Sequence, residues 1–303
     1  MSSTLRAHIA LFLVNTLYGA SHILAKGVMP KFLTPNVFIL LRASGATLLF
    51  WIVKRFFVNE KIEKKDYPRL IACGLFGVSI NQLFFFHGLN LSSSINSGII
   101  MTVNPILVVI LSFFILKEKI TLQKVVGIGL GAIGAILLTL AGGSGKGDSI
   151  LGDLFLFINA ASYAVYLVIA KPLMQKYKPL TVITYTFTFG LFFILCYPST
   201  LPDLVATDFS ALTTPIIFKI IYIVIGVTFL TYLLTMYGLK HLSPAISSSY
   251  IYLQPVLVMF FAVLLSAIGV ADDYTNTITI EKIIYMLLIF MGVYIISRKK
   301  QVK

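Results

Sequence analysis

The chain has 303 residues, of which 58% are hydrophobic and only 12% are charged, and its formal net charge is +13. A soluble domain carries about 25% charged residues, so this composition excludes an ordinary soluble domain and predicts a protein embedded in a membrane. The two cysteines, Cys73 and Cys196, lie in separate apolar runs. This pattern indicates neither a disulfide framework nor a metal site.

Ten segments of the chain have the composition of membrane-spanning helices, which need about 20 mostly apolar residues. The connections between them are short and are charged or rich in glycine and proline, so no long soluble region remains. The sequence therefore predicts an all-α polytopic membrane protein with ten transmembrane helices. Their predicted positions are 6–26, 34–54, 69–89, 95–116, 122–141, 153–171, 181–198, 215–237, 244–266 and 282–298.

The distribution of Lys and Arg residues predicts the orientation of the chain. With a cytoplasmic N-terminus, eighteen of the 24 basic residues lie on the inner side, five lie on the outer side, and Arg42 lies within the second helix. Because cytoplasmic loops carry an excess of Lys and Arg, we expect both termini in the cytoplasm and a bacterial-type cytoplasmic (inner) membrane. The positive charge then indicates topology and contact with membrane lipids, and no nucleic-acid partner is expected.

Sequence motifs recur in the second half of the chain. AKGVMPKF at 25–32 resembles AKPLMQKY at 170–177, and GLNLSSSINSGIIMTVNP at 88–105 resembles GLKHLSPAISSSYIYLQP at 238–255. The chain is therefore predicted to contain two five-helix repeats, residues 1–145 and 146–303. Five is an odd number, so the second copy is predicted to be inverted. Inverted repeats are typical of secondary transporters, which bind substrate near the bilayer midplane.

Polar residues fall on single faces of the predicted helices, as the i, i+3, i+7 spacing allows. Those of the first repeat lie from the middle to the outer half of the membrane, and those of the second lie from the middle to the inner half. This mirrored depth favours a central polar pathway, although such residues also hydrogen-bond between membrane helices simply to hold them together. The predicted substrate-binding residues are Asn15, Tyr18, His22, Arg42, Gln82, Ser97, Asn104, Thr231, Tyr250 and Gln254.

Arg42 lies about eight residues from the outer end of the second helix, or roughly 12 Å deep at 1.5 Å per residue. A charge near the centre of the bilayer costs from about 3 kcal/mol upward unless it is hydrated or paired. The predicted spans offer no intramembrane carboxylate as a partner. Water, helix carbonyls or a substrate anion remain, and they leave two hypotheses. Arg42 either attracts a substrate carboxylate or caps carbonyls of neighbouring helices.

Other motifs weigh against catalysis and against a bound cofactor. GLGAIG at 129–134 matches the dinucleotide fingerprint, but it lies within a predicted span and lacks the strand that the fingerprint requires. Gly127 and Gly131 form a GxxxG pair, which favours close helix packing. His22 and His87 could carry protons near neutral pH, although a packed neutral histidine is the alternative for each. We therefore expect no enzyme, no cofactor and no metal.

Five stretches are distinctive when they are taken together and in order, namely LYGASHILAK (17–26), LLRASGA (40–46), TVNPILVVILSFFILKEKIT (102–121) with Pro105 and Glu118, GDLFLFINAASYAVY (152–166) and LQP (253–255). In these stretches the chain resembles the EamA-type family of the drug/metabolite transporter (DMT) superfamily, and the resemblance covers nearly its whole length. The second repeat departs from the family pattern in LLSAIGV, where Ile268 replaces the glutamate of the first repeat's turn. The resemblance implies ten helices, cytoplasmic termini and the export of small metabolites such as amino acids.

We expect a secondary transporter that exports a small-molecule substrate by alternating access. A single arginine is few for a multiply charged phosphate ligand, and cationic substrates would call for an intramembrane carboxylate. An amino acid or monoanion, or a neutral solute such as a nucleoside, fits better. The alternative is a lipid-handling or structural membrane protein whose polar faces pack together without an aqueous pathway. The sequence leaves the oligomeric state open.

Overall fold

The computed structural model describes residues 2–25, 28–29, 32–92, 100–141, 149–254, 256–257, 260–261, 264 and 279–297, without the side chains of 20–25 and 139. Within these residues, every regular element is a helix. Short 3-10 turns at Phe209–Ala211 and Tyr250–Leu253 accompany the longer helices. The helices are α1 Ser3–Ala25, α2 Pro35–Phe57, α3 Lys64–Leu91, α4 Val103–Leu116, α5 Leu122–Leu140, α6 Ile150–Lys176, α7 Pro179–Leu195, α8 Thr200–Ala206, α9 Thr214–His241, α10 Pro244–Ser249 and α11 Ile280–Ser297.

Five helices are long and apolar enough to cross a membrane, namely α2, α3, α6, α9 and α11. Helices α7 and α8 become a sixth span if they are counted together across a bend of 76°. The all-helical membrane fold is thereby confirmed, while the number of ten spans stays a prediction. The predicted fourth and ninth spans, 95–116 and 244–266, lie partly outside the described residues.

Helix α2 begins and ends at residues that are typical of helix termini. Thr34 is the N-cap of α2 and its hydroxyl accepts a hydrogen bond from the amide of Val37, while Pro35 occupies the first helical position. Both features are typical of helix starts. Lys54 and Arg55 lie in the last turn, where cations interact favourably with the helix dipole. These caps position the middle of α2, which carries Arg42, between the neighbouring helices.

Helices α3 and α9 each contain a π-helical segment, at Leu75–Ile80 and Ile223–Leu230. The two segments end at matching places in the two repeats, just before Asn81 and Thr231. The wider i→i+5 turn of a π-helix takes up an additional residue and often marks a functional site. The segments therefore change which side chains the last part of each helix presents to its neighbours.

Two apolar cores organise the helices. The larger core is formed mainly by α2, α3, α6, α7 and α9, and the smaller one joins α1 to α5, α10 and α11. In the smaller core, a Cβ atom added to Gly292 would lie 2.6 Å from the carbonyl oxygen of Gly127 and 2.6 Å from the amide nitrogen of Gly131. Helices α5 and α11 thus touch through their backbones. This confirms the interpretation of the GxxxG pair as a packing motif.

Charged residues join the two predicted repeats at their inner ends. The ammonium group of Lys176 contacts Glu63 and Asp66 at 2.6 Å each, and the hydrogen bond from Lys176 lowers the pKa of Glu63. Lys171 donates to the carbonyl oxygens of Leu239 and Leu242 at the end of α9, at 2.6 and 2.7 Å. Through Lys176, the loop between α2 and α3 is therefore bound to the turn between α6 and α7.

The predicted orientation can be tested with single cysteines in a background that carries Cys196→Ser. Lys64 is exposed at the start of α3 and Ser210 is exposed in the connection between α8 and α9, on opposite sides of the predicted membrane. We expect Ser210→Cys to react with a membrane-impermeant maleimide from outside intact cells, and Lys64→Cys to react only after permeabilisation. Labelling of both cysteines from the same side would contradict the predicted topology.

Candidate functional site

Arg42 is buried in the middle of α2, with 7% of its surface exposed. Its Nε donates a hydrogen bond of 3.1 Å to the hydroxyl of Thr228 on α9, and that hydroxyl donates to the carbonyl of Ile223 at 2.8 Å. The guanidinium carbon lies 4.9 Å from the centre of the Phe86 ring and 5.6 Å from that of Phe38. Contacts of this kind contribute about 2 kcal/mol or more when they are desolvated. A hydroxyl and two aromatic faces therefore hold the buried charge.

This arrangement differs from the structural role that the sequence suggested for Arg42. Among the described residues, the hydrogen bond from Nε to Thr228 is the one that the guanidinium is seen to donate, so no backbone carbonyl there caps the charge. The two terminal nitrogens of arginine form a planar fork that matches a carboxylate. The polar end of Arg42 therefore keeps donors for a ligand while its Nε is anchored.

Hydroxyl groups of α1 and α9 lie beside this arginine. The hydroxyl oxygens of Tyr18 and Thr231 are 3.3 Å apart. The hydroxyl of Tyr232 lies 3.2 Å from the carbonyl oxygen of Gly77 and 3.3 Å from Oδ1 of Asn81, both on α3. Helices from both predicted repeats therefore meet through polar groups at this depth.

Gln82 adds an unsatisfied amide to this region. It is 2% exposed, and neither its oxygen nor its nitrogen makes a well-formed hydrogen bond within the described structure. The phenol of Tyr232 is close enough to interact with this amide as a weak hydrogen-bond partner, although the geometry of the contact is poor. A buried polar group without a partner costs about 1–3 kcal/mol, which water or a ligand would recover. We define the central cluster as Tyr18, Arg42, Asn81, Gln82, Thr228, Thr231 and Tyr232.

The hydrogen bonds of three predicted site residues lie outside the central cluster. Asn15 donates to a carbonyl of its own helix at 2.8 Å. Asn104 donates to the carbonyl of Ala160 at 2.7 Å and so joins α4 to α6. The hydroxyl of Tyr250 is hydrogen-bonded to Nδ1 of His8 at 2.8 Å, within the smaller core. These contacts match the alternative in which polar residues hold helices together.

The remaining predicted residues are described only in part. Gln254 follows the 3-10 turn Tyr250–Leu253 and is partly exposed. His22 lies on α1, but its side chain is outside the described residues, as is all of Ser97. Of the ten predicted residues, the structure thus groups Tyr18, Arg42, Gln82 and Thr231.

The sequence did not single out Tyr232 or the aromatic partners of Arg42. The i, i+4 spacing of Phe38 and Arg42 on one helix is a signal that could have revealed their contact. No comparable signal exists for Phe86, because only the packing of α3 against α2 brings its ring to the guanidinium. Tyr232 is the second residue after the π-helical segment of α9, where ordinary helical spacing no longer predicts which face a side chain lies on.

The chain is similar over most of its length to known transporters. The profile of the EamA-like transporter family matches residues 5–140 and 150–298. An uncharacterized transporter of Archaeoglobus fulgidus is 28% identical over 89% of this chain and 91% of its own, and the uncharacterized transporter YetK of Bacillus subtilis is 25% identical over 88% and 81%. A WAT1-related protein of Arabidopsis thaliana is 24% identical over 55% of this chain and 54% of its own.

The same fold is present in a solved protein. That crystal structure superposes with a TM-score of 0.73 and covers 97% of this chain and 96% of its own, at 19% sequence identity. At this level of identity the similarity extends to the fold alone. The double match to the family profile, together with this helical fold, establishes that the chain belongs to the EamA-like transporter family.

Proposed function

We propose that this membrane transporter is a secondary exporter of amino acids or similar small metabolites, which binds its substrate at the central cluster and works by alternating access. The observation that carries the proposal is the buried guanidinium of Arg42, which among the described residues donates a hydrogen bond through Nε alone, beside the buried amide of Gln82, which makes no hydrogen bond of good geometry there. A transporter without bound substrate needs donors and acceptors of this kind, whereas a helix that only packs would satisfy them.

The chemistry of the central cluster favours a zwitterion. The fork of Arg42 suits a carboxylate, and the oxygens of Gln82, Tyr18 and Thr231 are possible acceptors for an ammonium group. The cluster contains no carboxylate that could balance a cationic substrate. A neutral solute such as a nucleoside would use the same amide and hydroxyl groups without needing the positive charge.

Alternating access is supported by the bonds that cross between the predicted repeats. Arg42 bonds to Thr228, and Tyr18 approaches Thr231, so α1 and α2 of the first repeat meet α9 of the second. A substrate carboxylate on Arg42 would lie against this boundary. Its binding would change the contacts that hold the two repeats together, which is the coupling that an alternating-access carrier requires.

The proposal is tested with the purified protein in proteoliposomes. Counterflow of radiolabelled compounds is measured with one panel of amino acids and one panel of nucleosides, against protein-free liposomes. We expect exchange of at least one amino acid. Exchange of nucleosides alone would support the neutral-solute alternative. If no compound is exchanged, the alternative of a lipid-handling or structural protein without an aqueous pathway is favoured.

A further inference from the structure

A chain of side-chain hydrogen bonds connects three helices at the predicted outer side. Nε2 of His87, on α3, lies 2.9 Å from Oδ1 of Asn36 on α2. Nδ2 of Asn36 donates to Oδ2 of Asp203 on α8 at 2.8 Å. The hydroxyl of Thr34 donates to the same carboxylate oxygen at 3.0 Å. We call Thr34, Asn36, His87 and Asp203 the outer relay. It joins two helices of the first predicted repeat to one of the second.

The chemistry of the outer relay determines which atoms carry hydrogen. An ionised carboxylate only accepts hydrogen bonds, so the amide nitrogen of Asn36 faces Asp203 and its oxygen faces His87. That oxygen can only accept, so Nε2 of His87 carries the hydrogen of this bond. In the neutral imidazole, Nδ1 then holds the lone pair that can take up a proton.

The imidazole ring of His87 interacts electrostatically with the carboxylate of Asp203. Partial burial is the larger influence and disfavours the imidazolium, while the negative charge of Asp203 favours it. Asp203 is the charged group that acts on His87 within the described part of the chain, and the ring of Tyr197 lies 6.2 Å from the imidazole. Lys26 and Lys31 belong to the connection between α1 and α2 and lie outside the described residues.

We propose that His87 binds a proton from the outer medium, and that the outer relay uses its charge to strengthen the contact between the predicted repeats. The proton adds to Nδ1 from water and leaves to water, and no other bond is made or broken. Protonation strengthens the bonds from His87 to Asn36 and from Asn36 to Asp203, because the amide of Asn36 then lies between a cation and an anion and both bonds are charge-assisted. Transport thereby depends on the outer pH, an effect that rests on the proposed function, whereas proton binding does not.

Proton binding can be measured without any substrate. The protein has four histidines, so ¹⁵N-histidine NMR in detergent micelles gives few signals, and loss of one in His87→Gln identifies His87. We expect its signal to titrate, with a midpoint that is lower in Asp203→Asn than in the wild type because an opposite charge is removed. Absence of titration, or an unchanged midpoint in Asp203→Asn, would overturn the proposal.

Asp208 is the matched control for this measurement. It lies in the same outer connection, and its carboxylate accepts hydrogen bonds from the amide and hydroxyl of Ser210, at 2.9 and 2.6 Å. We expect Asp208→Asn to leave the His87 midpoint unchanged. A shift of the same size in both variants would mean that the carboxylates act through general surface charge, and the outer relay would be refuted.

The coupling to transport is tested with the amino acid that exchanges fastest in the proteoliposome panel. In His87→Gln, we expect counterflow to continue but its dependence on outer pH to disappear. A wild-type pH dependence that persists in this variant contradicts the coupling. If wild-type protein transports no amino acid at all, the proposed function fails, while the NMR titration still decides whether the proton site exists.

Discussion

Replacing Arg42 with glutamine is expected to reduce amino-acid transport about 10- to 100-fold, because a hydrogen bond to a charged group contributes about 1.5–3 kcal/mol. Arg42→Lys should retain part of the activity, since the ammonium keeps the charge and the contacts with Phe86 and Phe38 but loses the planar fork. Transport is measured by counterflow in proteoliposomes with equal amounts of folded protein. Neutral solutes, if they are carried, should be affected little.

Lys54 provides the matched control for the loss of a buried cation. It lies on the same helix and is 9% exposed, and its Nζ is 5.5 Å from the ring centre of Trp51 and 5.8 Å from that of Tyr185. We expect Lys54→Gln to transport at nearly the wild-type rate. If both Arg42 variants unfold in detergent while their surviving fractions transport normally, Arg42 is structural and the substrate role is refuted.

Replacing Gly292 with alanine is expected to lower the free energy of unfolding by about 1–3 kcal/mol, the usual range for overpacking. The added methyl group would meet backbone atoms of Gly127 and Gly131 at 2.6 Å. Backbone atoms cannot rotate away as a side chain can, so α5 and α11 must separate. The measurement is the unfolding midpoint in detergent, followed by near-UV circular dichroism.

Gly129 is the control for this substitution because it lies on α5 between the two packing glycines. A Cβ atom added there would have no heavy atom within 4 Å. Alanine is favoured over glycine in a helix by about 1 kcal/mol, so Gly129→Ala should be neutral or slightly stabilising. Equal losses in Gly129→Ala and Gly292→Ala would show that the loss does not come from the contact between α5 and α11.

The candidate site could be predicted only in part from the sequence. The isolation of Arg42 in an apolar helix was visible, and so was the polar face that includes Tyr18. The hydrogen-bond partner of Arg42 could not be predicted, because Thr228 is 186 residues away along the chain. Tyr250, a polar residue on the expected face, lies apart from the central cluster, since its hydroxyl is hydrogen-bonded to His8 in the smaller core. Helical spacing identifies a face, but it does not say which neighbour covers that face.

The sequence by itself determined that this protein is surrounded by lipid, that its fold is helical, which family it belongs to and where Arg42 lies in its helix. These follow from hydropathy and from motifs, which are properties of short stretches of chain. Only the tertiary structure decided which polar groups meet. The π-helical segments Leu75–Ile80 and Ile223–Leu230 change the helical register just before Asn81 and Thr231. Helix packing then brings Thr228 and Phe86 to Arg42, whose guanidinium donates a hydrogen bond through Nε alone among the described residues.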